Sequence, residues 1–219
     1  MPLSGWKTAI ASLAALAAAA GLALQFALIV KVMGEQGVGP LAAAWRFVGY
    51  FTILTNLAVA FVGAAMAMRP ASALAAPRAR LAMASAIAMV GLVYSAVLRD
   101  LWSPAGWQAV ADHVLHDATP PLFVLAWALA PHGALAWRDV WAGLAAPLAY
   151  CVYALARGAV DGWYAYWFLD PTALTYLQIG ASVVVLTAAF AAVAVIFIGA
   201  DKAMAARGWP TVTARPSGK

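Results

Sequence analysis

Residues 177–200 read LQIGASVVVLTAAFAAVAVIFIGA, a stretch of 24 residues that contains no charged side chain. As an α-helix rising about 1.5 Å per residue, this stretch would extend over about 36 Å, which exceeds the roughly 30 Å hydrocarbon core of a bilayer. A surface helix of a soluble domain is usually shorter and carries one polar face. Residues 177–200 therefore predict a transmembrane helix.

Other apolar stretches of similar length occur along the 219-residue chain, at residues 8–32, 41–68, 81–101, roughly 108–130, and 140–160. Hydrophobic residues make up 66% of the chain and charged residues only 10%, which is typical of a membrane protein. None of the Gly- and Pro-containing connections is long enough to form a separate domain. The sequence predicts an all-α polytopic membrane protein, with a six-transmembrane-helix bundle over residues 1–200 and a polar, disordered tail over residues 201–219.

The basic residues predict the orientation of this bundle. With six crossings both termini lie on one side, and nine of the 13 Lys and Arg residues fall on that side. The side of the termini receives Lys7, Arg69, Arg78, Arg80, Arg138, Lys202, Arg207, Arg215 and Lys219, and the opposite side receives Lys31, Arg46, Arg99 and Arg157. Because cytoplasmic loops are enriched in Lys and Arg, we expect both termini in the cytoplasm. The net charge of +5 is spread between apolar stretches, so we do not expect nucleic acid as a partner.

Small and polar residues of the second stretch share one helical face. Trp45, Gly49, Thr52, Asn56 and Gly63 are three, four or seven residues apart, spacings that return to roughly the same angle on a helix. Lipid penalises unpaired polar groups, so this face must point at protein. It is either a helix-packing seam in which Thr52 bonds to its own helix, or a site with Thr52 as a buried nucleophile and Asn56 as a positioning or oxyanion-stabilising group.

The densest cluster of ionisable residues reads DHVLHD at residues 112–117. On a helix, Asp112 is four residues from His116, and His113 is four residues from Asp117, so each imidazole has a carboxylate neighbour that can orient it as a base. One alternative is a solvated turn whose histidines have no chemical role. Another is a metal or haem site on the two histidines, but the sequence indicates no third ligand, and we predict neither a metal nor another cofactor.

The starting point of the fourth helix decides whether Thr52 and His116 can meet. If that helix begins near Trp107, Thr52 lies about 16 Å and His116 about 14 Å into the membrane, and the two side chains can face each other. If it begins near Thr119, His116 lies at the interface and a direct hydrogen bond becomes harder. The prolines at 120–121 leave both alternatives open.

Charged residues also end the third and fifth stretches on the predicted outer side. Arg99 and Arg157 either pair with nearby carboxylates and headgroups or hold the carboxylate of an amphiphilic ligand. The aromatic run at 163–168, which Asp170 follows closely, is typical of an interfacial aromatic belt, with a binding platform as the alternative.

Three motifs, in this order along the chain, resemble the androgen-induced-gene-1-like family of multispanning membrane proteins and its bacterial relatives. The family's Tyr/Phe-Leu-Thr segment is similar to residues 50–52, and its Asn-His-Gly-Met-His segment is similar to residues 112–116. Its late Tyr-Pro-Phe-Leu-acid segment is similar to residues 166–170. The bacterial relatives resemble the chain further through residues 51–56, which read FTILTN.

Animal members of that family are threonine hydrolases that cleave fatty acid esters of hydroxy fatty acids. The resemblance implies an intramembrane lipid-ester hydrolase of the bacterial inner membrane, with Thr52 as nucleophile, His116 as base and membrane lipids as partners. Asp112 stands where the family has asparagine, and Asp117 stands where it has threonine. Because of these differences, the resemblance does not fix the substrate range. Either aspartate could orient the imidazole.

The other candidates for supporting or substrate-binding roles are polar residues near these motifs or at the predicted outer side, namely Asn56, Asp112, His113, Asp117, Arg99, Arg157 and Asp170. The alternative function is a non-enzymatic lipid-binding or transport protein, in which the same polar groups line a cavity and recognise a carboxylate or headgroup.

Overall fold

A computed structural model describes residues 5–211 of the protein, and this part of the chain is all-helical. Its α-helices are α1 (Gly5–Glu35), α2 (Pro40–Phe47), α3 (Phe51–Met68), α4 (Pro77–Val93), α5 (Trp107–His113), α6 (Thr119–Ala128), α7 (Val140–Asp161) and α8 (Tyr176–Ala206). Within the described residues, five helical stretches are long and apolar enough to cross a membrane: Gly5–Glu35, Phe51–Met68, Pro77–Leu101, Trp137–Asp161 and Tyr176–Ala206. The prediction of a helical membrane protein is confirmed.

The fourth predicted crossing, residues 108–130, is not among these five stretches. Residues 107–128 nevertheless form one uninterrupted helical run, in which a π-helical turn over Val114–Ala118 joins α5 to α6. The run carries the four ionisable side chains of residues 112–117, which lower its apolar content. A π-helical turn is a local widening that often marks a functional site.

The prediction of one helix over residues 41–68 is wrong, because the chain breaks between α2 and α3 at residues 48–50. Gly49 lies at the break and packs against the side chains of Arg157 and Trp163. A Cβ at this position would collide with both of them. Tyr50 has extended backbone angles (φ −94°, ψ 135°) and caps the start of α3.

The break divides the predicted polar face of the second stretch. Trp45 belongs to α2, and its indole Nε1 donates a hydrogen bond of 2.7 Å to Asp161. Thr52 and Asn56 belong to α3 and contact the helical run 107–128. Gly63 packs on α1, where an added Cβ would lie 3.1 Å from the backbone oxygen of residue 11. These four residues therefore contact three different parts of the bundle, namely α7, the run 107–128 and α1.

Small residues allow the long helices to approach closely. Ala11, Ala14 and Ala18 of α1 are fully buried against α3, and α4 lies in the middle of the bundle in contact with α3, α6, α7 and α8. Large apolar side chains remain exposed on the outward faces, for example Leu16, Phe61, Leu92 and Val184. Such surfaces suit lipid contact, since association of helices in lipid depends on close packing and not on hiding apolar surface from water.

Helix α8 continues to Ala206. The prediction that the tail is disordered from residue 201 is therefore wrong for residues 201–206, which are helical. The reason is that Asp201 is buried and well partnered. Its carboxylate lies 3.0 Å from Nδ1 of His132 and accepts a hydrogen bond of 3.1 Å from the backbone N–H of Leu135. Residues 212–219 of the predicted tail lie outside the described residues.

Candidate active site

Thr52, in the first turn of α3, meets His116, in the π-helical turn of the run 107–128. Oγ1 of Thr52 lies 3.4 Å from Nε2 of His116. The run begins at Trp107, as the first of the two alternatives for the fourth helix requires. The expected juxtaposition of the two side chains is therefore present, and it depends on the chain being helical well before the two prolines.

Hydrogen bonds at the other ring nitrogen decide which nitrogen of His116 carries the proton. Nδ1 lies 3.0 Å from the backbone oxygen of Asp112 and 3.3 Å from the carboxylate Oδ1 of the same residue. Both oxygens accept hydrogen bonds, so Nδ1 carries the hydrogen and Nε2 of the neutral ring has a free lone pair facing Thr52. This is the donor and acceptor order that a nucleophile and its base require.

Asp112, and not Asp117, is the carboxylate that orients His116. The Asp112 side chain is almost fully buried and accepts a hydrogen bond from the hydroxyl of Tyr94. Asp117 instead lies 2.7 Å from Nδ1 of His113 and pairs with the guanidinium of Arg99. The His113 side chain is 62% exposed, so this second charged group lies at the surface of the bundle.

Tyr94 supports His116 in a way that the sequence did not single out. Its ring stacks on the imidazole with 3.9 Å between centroids and 15° between planes, while its hydroxyl donates to Asp112. Tyr94 begins a π-helical turn, Tyr94–Leu98, at the end of α4. A lone tyrosine within an apolar transmembrane stretch was the signal that could have identified it, since its hydroxyl needs a partner in lipid.

Asn56 connects the two halves of the site. It is fully buried, and its Nδ2 donates hydrogen bonds to the backbone oxygens of Thr52 (2.9 Å) and Leu115 (3.4 Å). Its Oδ1 has no hydrogen-bond partner among the described residues. Of the two functional interpretations, the geometry matches the positioning role, because the amide hydrogens are directed at backbone carbonyls next to Thr52 and His116.

Arg157 is enclosed by aromatic side chains. Its guanidinium carbon lies 4.3 Å from the ring centroid of Trp45 and 4.9 Å from that of Trp163. Nε lies 3.2 Å from Asp161, and the side chain is 3% exposed. These contacts correspond to the structural pairing considered for Arg157.

Asp170 forms a local turn before α8. Its carboxylate accepts hydrogen bonds from the backbone N–H (2.8 Å) and the hydroxyl (2.7 Å) of Thr172. These bonds stabilise the charged form and lower the pKa of the Asp170 carboxyl. The described contacts of this side chain are with its own turn and not with Thr52 or His116.

A cavity of about 470 Å³ lies in front of Thr52 and His116. Asp112 lines it too, and Gln25 and Gln108, joined by a hydrogen bond of 2.7 Å, contribute further polar atoms. Much of the remaining lining is apolar, from α1, α2 and the end of α4. A predominantly apolar cavity with a few convergent polar groups is the usual form of a small-molecule site.

A second cavity, of about 70 Å³, lies on the other side of Thr52 between α3, α4, α7 and α8. Four side chains line both cavities, namely Thr52, Tyr94, Leu98 and Tyr166. Thr52 is therefore accessible from two sides.

Tyr166 lines both cavities together with Thr52. Burial raises the pKa of the Tyr166 hydroxyl, and hydrogen bonding with the Thr52 side chain and the backbone N–H groups of Thr52 and Phe51 partly opposes the increase. The sequence placed Tyr166 in an interfacial aromatic belt. The tertiary structure adds a contact with Thr52 that the pattern of aromatic residues did not indicate.

Within residues 5–211, no group of three or more His, Cys, Asp or Glu side chains is arranged to hold a metal ion. No family model, curated protein or solved structure matches the chain.

Proposed function

We propose that the protein is an intramembrane lipid-ester hydrolase in which Thr52 is the nucleophile and His116 is the base. The observation that carries this proposal is the 3.4 Å separation of Thr52 Oγ1 and His116 Nε2, with the His116 proton held on Nδ1 by Asp112. A separation of this size is common before substrate binds, because such hydrogen bonds shorten in the complex with substrate.

The proposed reaction has two steps that share the same base. Thr52 Oγ1 attacks the ester carbonyl carbon while its proton passes to Nε2 of His116, and the buried Asp112 carboxylate stabilises the resulting imidazolium. The carbon–oxygen bond to the alcohol then breaks, and His116 returns the proton to the departing alkoxide. His116 next takes a proton from water, and the oxygen of that water attacks the carbonyl carbon of the acyl-Thr52 ester. The bond from this carbon to Oγ1 then breaks, His116 returns the proton to Oγ1, and the acid and the free Thr52 hydroxyl are released.

The break between α2 and α3 supports this reaction, since it makes Thr52 a residue of the first helical turn. Backbone N–H groups in a first turn have no partner within their own helix, and the positive end of the helix dipole points out from them. These donors are suited to the oxyanion of a tetrahedral intermediate, the role that the sequence had left open for Asn56.

Covalent labelling tests the proposed nucleophile. We expect a fluorophosphonate probe to label the detergent-solubilised wild-type protein and to leave Thr52→Ala unlabelled. Thr55→Ala is the matched control, because Thr55 is a buried threonine of the same helix and should keep the label. Equal labelling of Thr52→Ala and wild type would contradict the proposal. An unlabelled wild type that binds an amphiphile saturably would favour the lipid-binding alternative.

Removing one hydroxyl tests the role of Tyr94. Tyr94→Phe deletes the hydrogen bond to Asp112 and keeps the ring that stacks on His116, so we expect kcat/KM for ester hydrolysis to fall about tenfold. Tyr94→Leu also removes the stacked ring and should lower kcat/KM further. Steady-state kinetics on a soluble ester measures both effects, and an unchanged kcat/KM in Tyr94→Phe would show that Asp112 does not depend on this hydroxyl.

We propose six crossings with both termini in the cytoplasm of a bacterial inner membrane. In support, Nζ of Lys7, near the start of α1, lies 5.4 Å from the ring centroid of Trp209, which follows α8. The two ends of the described chain lie together, as an even number of crossings requires. The run 107–128 would supply the sixth crossing beside the five long apolar stretches, and the nine-to-four distribution of basic residues gives the orientation.

We also propose that the protein is a bacterial relative of the androgen-induced-gene-1-like family, with lipidic esters entering from the bilayer. The motifs that carry this resemblance are distant in sequence, and residues from all three of them, Thr52, His116 and Tyr166, line the same 470 Å³ cavity.

A further inference from the structure

Two glutamines share the larger cavity with Thr52 and His116. Gln25 belongs to α1 and Gln108 to α5, and Nε2 of Gln108 donates a hydrogen bond of 2.7 Å to Oε1 of Gln25. An amide has both a donor and an acceptor, so this bond leaves the amino group of Gln25 and the carbonyl of Gln108 unused. Because both residues line the cavity, this donor and this acceptor are available to a ligand inside it.

The charges in the wall of this cavity favour a neutral ligand. Among the described residues, the lining includes the carboxylate of Asp112 but no lysine and no arginine. The three arginines that the sequence placed on the same side of the membrane, Arg46, Arg99 and Arg157, are not part of the lining, and the last two are paired with aspartates. An anionic group in a largely apolar cavity needs a cationic partner, and here it would meet another carboxylate.

The position of the base indicates which arm of the ester meets the two glutamines. His116 must return a proton to the departing alkoxide, so the alkoxide oxygen lies close to His116 when the ester bond breaks. His116 lines the cavity that contains Gln25 and Gln108, and it does not line the smaller cavity. The alcohol arm is therefore the part of the substrate that the two amides can bind.

We propose that the substrates are neutral lipid esters whose alcohol arm carries free hydroxyl groups, and that Gln25 and Gln108 bind those hydroxyls. A hydroxyl both donates and accepts hydrogen bonds, so it matches the free carbonyl of Gln108 and the free amino group of Gln25. An ionised carboxylate only accepts, and it would face the Gln108 carbonyl and Asp112 without a cation. This inference rests on the proposed hydrolase function and deepens it by naming the substrate class.

Octanoate esters that differ only in a three-carbon alcohol arm test this substrate class. They are monooctanoylglycerol with hydroxyls, propyl octanoate with no polar group, and the octanoyl ester of β-hydroxypropanoate with a carboxylate. For the wild-type protein, with each substrate expressed as its mole fraction in the micelle, we expect kcat/KM to be highest for monooctanoylglycerol. It should exceed that for propyl octanoate about tenfold and that for the carboxylate-bearing ester about 100-fold.

Octanoylglucose in the same assay distinguishes two sources of the hydroxyl groups. A higher kcat/KM for octanoylglucose than for monooctanoylglycerol would identify the alcohol as a sugar, and the reverse order would identify it as glycerol. Either order supports the proposed substrate class, provided that the preferred ester exceeds propyl octanoate.

The double variant Gln25→Leu, Gln108→Leu separates substrate binding from a purely structural link between α1 and α5. Both polar partners are removed together, so no amide is left unpaired in the cavity. We expect the ratio of kcat/KM for monooctanoylglycerol to that for propyl octanoate to fall about tenfold, whereas a purely structural pair would affect both esters alike. The matched control is Ile29→Ala, an apolar truncation in α1 that lines the same cavity and should leave this ratio unchanged.

Two results would overturn this inference while leaving the hydrolase intact. One is a wild-type enzyme that cleaves the carboxylate-bearing ester as well as it cleaves monooctanoylglycerol. The other is a double glutamine variant that keeps the wild-type ratio between monooctanoylglycerol and propyl octanoate. Absence of hydrolysis with every ester, together with unlabelled Thr52, would instead overturn the hydrolase and this inference with it.

Discussion

Replacing His116 with alanine is expected to lower kcat/KM for ester hydrolysis by about 10³-fold or more, the largest effect on activity that the site predicts. Without Nε2 as acceptor, the Thr52 hydroxyl keeps its proton and is a weak nucleophile. The departing alkoxide also loses its proton donor, so both halves of the reaction are impaired. Steady-state kinetics on the purified variant, after equal folded yield has been established, measures the change.

The matched control for His116 is His113→Ala. His113 lies three residues away on the same helical run, but its side chain is 62% exposed and pairs with Asp117. We expect its kcat/KM to stay within about threefold of wild type, as is usual for surface substitutions. If the two histidine variants lost activity equally, the assignment of His116 as the base would be wrong.

The double variant Thr52→Ala, His116→Ala provides a second check on the same assignment. Residues that act as a unit show strongly non-additive losses, because removing either one already disables the shared step. We therefore expect the double variant to be no less active than the worse single variant. Multiplicative losses would indicate that the two side chains act independently, and would contradict a nucleophile and base pair.

Replacing Asp201 with alanine is expected to lower the free energy of unfolding by about 3–5 kcal/mol, the largest loss of stability that the structure predicts. His132 Nδ1 lies 3.0 Å from the Asp201 carboxylate, and His132 Nε2 lies 3.0 Å from the backbone oxygen of Ala128. The Asp201 carboxylate accepts hydrogen bonds from Nδ1 of His132 and from the backbone N–H of Leu135. Without Asp201, both of these buried donors would lack a partner.

Thermal or denaturant unfolding of the protein in detergent measures the effect of Asp201→Ala. The control is Asp100→Ala, since Asp100 is an exposed aspartate beyond the end of α4, and its loss should change stability by less than about 0.5 kcal/mol. A His132→Ala, Asp201→Ala double variant should lose less than the sum of the two single losses, because both single variants remove the same interaction. Equal stability of Asp201→Ala and Asp100→Ala would show that the buried pair does not hold α8 to the chain around residue 132.

Several parts of the site could be predicted from the sequence because they depend on local spacing. The i, i+4 relation of Asp112 and His116 holds once the chain is helical, and the structure adds a backbone acceptor for the same imidazole nitrogen. The same spacing rule applied equally to His113 and Asp117, so it could not show which histidine faces Thr52. Tyr94 makes that distinction by stacking on His116, and it lies in a different helix.

The division of residues 41–68 shows the opposite case. A single glycine inside an apolar helical pattern is compatible with a continuous helix, so Gly49 gave no sign of a break. The structure does explain why residue 49 is a glycine: Arg157 and Trp163, more than one hundred residues later, occupy the space that a larger side chain would need. Contacts between residues so far apart depend on how the helices pack, which the pattern of one helix does not encode.

The sequence by itself determined that the protein is helical and that its helices are long and apolar enough to cross a membrane, because helix length and apolar content are properties of each segment alone. It also determined the ionisable side chains that could serve as a base. Only the tertiary structure decided that His116 faces Thr52 with its proton on Nδ1, and that two cavities of different size meet at Thr52. The physical reason is that hydrogen-bond directions and cavity walls arise between helices, from side chains that are distant in the chain and adjacent in space.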